Sequence, residues 1–240
     1  NSIAARTRGI DEAPDDTIHS FYLDCGPLFL VFAGVFPATD PLMKDALAWF
    51  REGPPRRFFR PDASCWQMAC LQHEMSSCEP CYSWNAFHSH QRGDRTKFLE
   101  CMYSVFAGAV SRKTRISCET RGGITGTLFS APLPVYLARL AVIDDQIKEN
   151  ELHLLRLMPL AWLKPGDRCR FERMPTEFGP VTLGTRMSGN GTALEVDWDP
   201  DFRPLPDRIV LHIPPLPGLR TVRVNGRRVA AGKGHVALIG

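Results

Sequence analysis

Two glutamates sit where a carboxylate could do chemistry. Glu79 precedes Pro80 in the run Cys78-Glu-Pro-Cys81. Proline at a first helical position, with an acidic residue just before it, marks a helix N-terminus. The positive end of the helix dipole favours an ionised carboxylate there. An ionised Glu79 suits a base or a nucleophile; the plainer reading is a capping carboxylate with no chemistry. Glu119 lies in Ser117-Cys-Glu-Thr-Arg-Gly-Gly123. A carboxylate beside Arg121, with Gly122 and Gly123 letting backbone approach a ligand, is what a sugar pocket would use. The plainer reading is a surface Glu119–Arg121 pair, which stabilises little. Asp24, in Leu23-Asp-Cys-Gly-Pro27, is a third candidate on the same loop argument. Glu74 could partner Glu79 or simply be a solvated loop charge.

Trp66, Tyr82 and Trp84 lie near Glu79 in the chain. Their rings could stack on the flat face of a sugar and hydrogen-bond through their polar tips, although aromatic residues at helical spacing are more often core. His88 and His90 flank the end of the same helix. Imidazole suits acid–base work near neutral pH, but a hydrogen-bonded structural histidine is the commoner use. Cys65, Cys70, Cys78 and Cys81, with His73 among them, form a denser cluster. One C-x-x-C has zinc-ligand spacing, but the rest of the pattern does not repeat it, so no metal site is expected. The cysteines read as small buried hydrophobes, since a chain of this size does not need disulfide staples. No cofactor is expected either.

The elements that must hold these residues fall into two textures. Over the first part, apolar residues recur at helical spacing. Phe21 to Phe36 is apolar almost all round, as in a buried helix. Asp40-Pro41 starts the next helix, and Gly53-Pro54-Pro55 stops it. Further helices are predicted from Pro80 to about Gln91, from Thr96 to Ser111 and from Pro132 to Ile143, with Gly93-Asp94 a tight turn. After Trp162 the pattern changes at Lys164-Pro-Gly-Asp167. Short alternating runs follow: Arg168–Met174, Val181–Met187, Thr192–Trp198, Arg208–Ile213 and Leu219–Val224. Ser188-Gly-Asn-Gly191 and Asn225-Gly226 read as hairpin turns. Strands at this spacing suggest an antiparallel sandwich. Glu151 to Trp162 fits a strand or a buried helix, and reads as a bridge between modules.

Composition narrows the partners. The chain has 240 residues, 44% hydrophobic and 23% charged, which is the globular range. A net charge of +3, with scattered Lys and Arg, gives no reason to expect a nucleic-acid partner. No apolar run is long enough to span a bilayer, so no membrane partner is expected. The opening, Ile10-Asp-Glu-Ala-Pro-Asp-Asp-Thr17, reads as a loop between elements, so further sequence is expected ahead of Asn1.

The segments Cys78–Trp84, Gln91-Arg-Gly-Asp94, Ser117–Gly123, Leu152–Leu157 and Phe178-Gly-Pro-Val181 resemble, in that order, the final hairpins and C-terminal β-domain of bacterial six-hairpin glycoside hydrolases. The resemblance implies a partial α/α toroid of helical hairpins over residues 1–163, followed by an antiparallel β-sandwich domain over 164–240. It implies a carbohydrate substrate and a cytoplasmic or periplasmic place in a bacterium. Loops at the inner-helix ends of such a toroid face the pocket. Glycoside hydrolysis needs two carboxyl groups flanking the bond, and the resemblance implies Glu79 and Glu119 for that pair, with Asp24 in reserve. Trp66, Glu74, Tyr82, Trp84, His88 and Arg121 would then touch substrate. A non-catalytic sugar-binding or scaffolding protein of the same architecture is the alternative.

Overall fold

The computed structural model describes residues 30–45, 84–109, 113–114, 116, 132–230 and 234–239. The chain divides into two compact units, Asn1–Val135 and Tyr136–Gly240.

In the first unit, Asp40 caps a helical start as its place before Pro41 predicts. Its Oδ1 accepts the Leu42 amide at 2.8 Å, and its carbonyl accepts the amides of Met43 and Lys44. Val31, Ala38 and Met43 form a small buried cluster with Phe36 packed on it. Two helices follow, α1 (Trp84–Arg92) and α2 (Arg95–Ala109). They are joined by Gly93 and Asp94 alone. Gly93 takes φ +70°, its amide bonds the His90 carbonyl and the Asp94 amide bonds that of Ser89, each at 3.0 Å. This is the Schellman way of closing a helix. Asp94 then caps α2, its Oδ1 accepting the Lys97 amide at 3.0 Å. The buried stripe of α2 is Phe98, Cys101, Met102 and Val105, a helical face by spacing.

The second unit begins within α3 (Pro132–Val142), which runs straight into strand β1 (Ile143–Asp144). The other strands are β2 (Glu151–Leu154), β3 (Arg168–Met174), β4 (Val181–Met187), β5 (Leu194–Pro200), β6 (Arg208–His212), β7 (Val222–Val224), β8 (Arg227–Val229) and β9 (His235–Ile239). They form a four-stranded sheet in the order β1-β2-β6-β9, a three-stranded meander β3-β4-β5 and a two-stranded ribbon β7-β8. Alternation sorts the side chains of the four-stranded sheet. Register places Ile143, Leu152, Leu154, Ile209, Leu211 and Val236 on one face. All of these but Leu211 are buried. Asp144, His153, Val210, His212 and His235 fall on the other.

The turn after β2 is strapped to the end of α3. The amide of Leu155 bonds the Val142 carbonyl at 2.9 Å, and that of Leu157 bonds Ala141 at 3.0 Å. Leu155 is fully buried at φ +58°, a conformation that bulky side chains seldom take. Asn225 and Gly226 have φ of +48° and +79°, the pair of positive values a type I′ turn requires. The connection from β3 to β4 makes its tightest approach at Gly179. There φ is +123°, and an added Cβ would stand 2.3 Å from the Asp201 carbonyl oxygen.

The structure overturns the expected fold class. No α/α toroid is present among the described residues. Helix there is confined to α1, α2, α3, one 3-10 turn at Leu160–Trp162 and short stretches at 30–32 and 41–45. A toroid needs repeated antiparallel helix pairs, and α1–α2 is the one such pair described. The helix that should begin another, α3, feeds a sheet instead. The physical reason lies in pairing: Glu151-Leu-His-Leu154 is held as a strand between β1 on one side and β6 on the other, which satisfies its backbone groups. The sheets are sandwich-like, but not wholly antiparallel, because β2 pairs with β6 in parallel.

Candidate functional site

The polar face of the four-stranded sheet gathers ionisable groups from four segments. β1 supplies Asp144, fully buried. β2 supplies Glu151 and His153, β6 supplies His212, and β9 supplies His235. His153 sits at the centre. Its Nδ1 is 2.8 Å from Nε2 of His212, and its Nε2 is 3.1 Å from Oε2 of Glu151. One proton arrangement satisfies both contacts with two neutral rings: His212 Nε2–H donates to His153 Nδ1, and His153 Nε2–H donates to Glu151. His212 also lies against His235, their ring centroids 5.9 Å apart. Arg156, in the turn after β2, donates to Asp144 at 3.1 Å.

The electrostatics follow from these neighbours. Lys148 bonds Glu151 and holds its carboxyl below the usual carboxylate range against the opposing effect of burial. Burial lowers His153, and the carboxylates of Asp144 and Glu151 only partly offset it. His212 is pushed down to about 4, first by burial and then by the neighbouring His153, Arg156 and His235. The pair is therefore neutral near pH 7, in keeping with the single-proton chain.

A second cluster pins a loop. Arg139 on α3 donates to Oδ1 of Asp145 at 2.8 Å, and both side chains are buried. The guanidinium also lies 5.2 Å over the Tyr136 ring. Oδ2 of Asp145 accepts the Glu177 amide at 2.8 Å, and Gln146 bridges Asp145 and Glu177 by contacts of 3.1 Å to each. The loop carrying Gly179 is thus tied to the end of α3. Consecutive aspartates, Asp144 and Asp145, each hold their own arginine.

The unit also has a cleft of about 460 Å³, within the size range of small-molecule sites. Its walls are mostly apolar, including Leu155, Leu211, Ile213 and Leu216. His212, Thr192 and Arg223 are among its polar members. His212 therefore belongs both to the histidine row and to the cleft lining.

Of the residues that the sequence singles out, Asp24, Trp66, Glu74, Glu79, Tyr82, Glu119 and Arg121 lie outside the described residues, as do Cys65, Cys70, His73, Cys78 and Cys81. Trp84 opens α1, and its side chain is likewise outside them. His88 is buried on α1, with Nε2 3.0 Å from the Ala38 carbonyl. His90 is buried beside Phe98. Among the described residues no group of three or more His, Cys, Asp or Glu is placed to hold a metal ion, and no helix is long and apolar enough to cross a membrane.

Sequence reasoning missed the row Glu151, His153, His212 and His235. A signal for half of it was present: in Glu151-Leu-His-Leu154 the polar residues share one face at period two. The partners from β6 and β9 are remote in sequence, and only strand pairing brings them near. Comparison with family models, with curated proteins and with solved structures finds no match to this chain.

Proposed function

We propose that this chain is a carbohydrate-active hydrolase, with Glu79 and Glu119 as its pair of carboxylates. The observation that supports the reading is the ordered set of segments from Cys78 to Val181 that resembles glycoside hydrolases. In it Glu79 precedes Pro80, a helix-start signal in the sequence, and Glu119 stands two residues before Arg121-Gly-Gly123. A carboxylate ionised by a helix N-terminus acts as base or nucleophile, while the second protonates the leaving oxygen. Trp66, Tyr82 and Trp84 supply the flat apolar faces that sugars need, and Arg121 supplies hydrogen bonds to hydroxyls.

Assay of the purified chain against a panel of aryl glycosides and oligosaccharides tests the proposal. The wild type is expected to release sugar. Glu79→Gln and Glu119→Gln are each expected to lower kcat about a hundredfold or more, the scale of lost acid–base catalysis, with KM changed far less. Turnover at the wild-type rate in either variant would remove that residue from the mechanism. Sugar binding without wild-type turnover, unchanged by both substitutions, would assign the chain to non-catalytic carbohydrate binding.

A further inference from the structure

We propose that the row His153–His212–His235 is an acid-sensitive latch across β2, β6 and β9, which loosens when the coupled pair His153–His212 is forced to take a second proton. The inference is independent of the proposed hydrolase activity, and it rests first on geometry. Two ring nitrogens 2.8 Å apart need one proton between them. With none they repel as two lone pairs; with two they repel as two N–H groups on two cations. The contact is therefore stable only while at least one ring stays neutral.

The surrounding groups decide how the row responds. β1 presents Asp144, already engaged by Arg156. The start of β2 presents Glu151, already engaged by Lys148 and by His153, and β6 places Arg208 opposite Glu151 in register. β9 presents His235 against His212. Arg156, just after β2, adds a fixed positive charge. The first added proton can settle on His153, between Glu151 and His212. The second must go to His212, where the nearby Asp144 carboxylate favours the charge but burial, His153, Arg156 and His235 together outweigh it. That proton has nowhere favourable to go while the strands stay paired.

The sign follows from linkage. An unfolded histidine takes its proton near 6.5, whereas folded His212 resists until about 4. Between those values the unfolded chain binds more protons, so stability falls as pH falls across that window, and it is fully present above it. Glu151 acts lower. Its depressed carboxyl contributes stability lost only as pH falls below its ordinary value of 4.5. A fall beginning near pH 6.5 therefore belongs to the histidines. Allowing for the partial exposure of His212, the folding constant of this unit is expected to drop by roughly ten- to a hundredfold between pH 7 and pH 4.5.

Two measurements on the whole chain test the latch. Nitrogen-15 NMR of the histidine rings in the wild type should show two coupled imidazoles sharing one proton, with the second protonation well below 6. Independent titration of His153 and His212 near 6.5 would overturn the proposal, and this readout needs no variant. Hydrogen exchange of the β6 amides 209–212 should quicken between pH 7 and pH 5, once corrected for intrinsic rates. His212→Gln keeps a donor for His153 Nδ1 but cannot be charged, so it should remove most of the pH dependence of exchange and of the urea midpoint in that window. An equal pH response in His212→Gln would show that the row is not the latch.

Discussion

Gly179→Ala is expected to destabilise the second unit by roughly 3–5 kcal/mol, a loss typical of backbone strain combined with a steric clash. Two costs coincide at this position. The φ of +123° lies in a region that L side chains rarely adopt, and the added Cβ would stand 2.3 Å from the Asp201 carbonyl oxygen. That oxygen belongs to backbone, so a rotamer change cannot relieve the contact. Nor can the loop slide away. Gly179 exchanges backbone bonds with Thr176, Arg203 bonds Phe178 at 2.7 Å and Asp201 bonds Pro180 at 2.8 Å. Urea unfolding followed by the fluorescence of Trp162 and Trp198 would measure the loss. Gly166→Ala is the control. Its φ is +84°, and nothing lies within 4 Å of its added Cβ, so it should cost only about 1 kcal/mol. Equal losses at the two glycines would show that the close approach to Asp201 is not the cause.

Asp145→Ala is the second large loss, expected at roughly 3–5 kcal/mol, the range for removing one partner of a buried ion pair. The substitution leaves the Arg139 guanidinium buried without its carboxylate and strips the Glu177 amide of its acceptor. The pair itself adds little to stability, because desolvating both charges cancels most of their attraction. Arg139→Leu combined with Asp145→Leu should therefore recover to within about 2 kcal/mol of the wild type, despite carrying two changes. Asp145→Asn should fall between, since its oxygen can still accept a bond while the charge is gone. A double variant no more stable than Asp145→Ala would mean that the loop depends on the polar cluster and not on filled space.

Local structure was legible where short-range signals agreed. β3 and β4 have the bounds that alternation and Pro/Gly punctuation predict, and the Asn225-Gly226 turn has the predicted geometry. α2 forms where helical spacing predicts a helix, with Phe98, Met102 and Val105 buried on one face. What failed was closure. A helix pair such as α1–α2 satisfies its own capping and packing without saying what it joins, so likeness to hairpins could not establish a toroid. β1 and β2 have only two and four residues, too few for periodicity to separate strand from buried helix. β9, which follows Gly234, escaped notice, and with it went the third histidine. The site had the same weakness. Glu79 and Glu119 drew notice from local context, whereas the histidine row exists only through pairing.

The parallel pairing of β2 with β6 also bears on how the chain is made. Residues 155–207 are an excursion between two neighbouring strands, and the meander β3-β4-β5 lies wholly inside it. The meander joins near neighbours in sequence, so its loop-closure cost is small and it can form as soon as it leaves the ribosome. The four-stranded sheet must wait. His153 and His212 are 59 residues apart, and β9 ends at Ile239. Until then, β2 exposes its apolar face and an unpaired edge, the state in which nascent chains are most prone to aggregate. A nascent chain whose emerged part ends between residues 200 and 207 would present a folded meander beside a sticky, half-built sheet, and chaperone binding should be strongest at this emerged length.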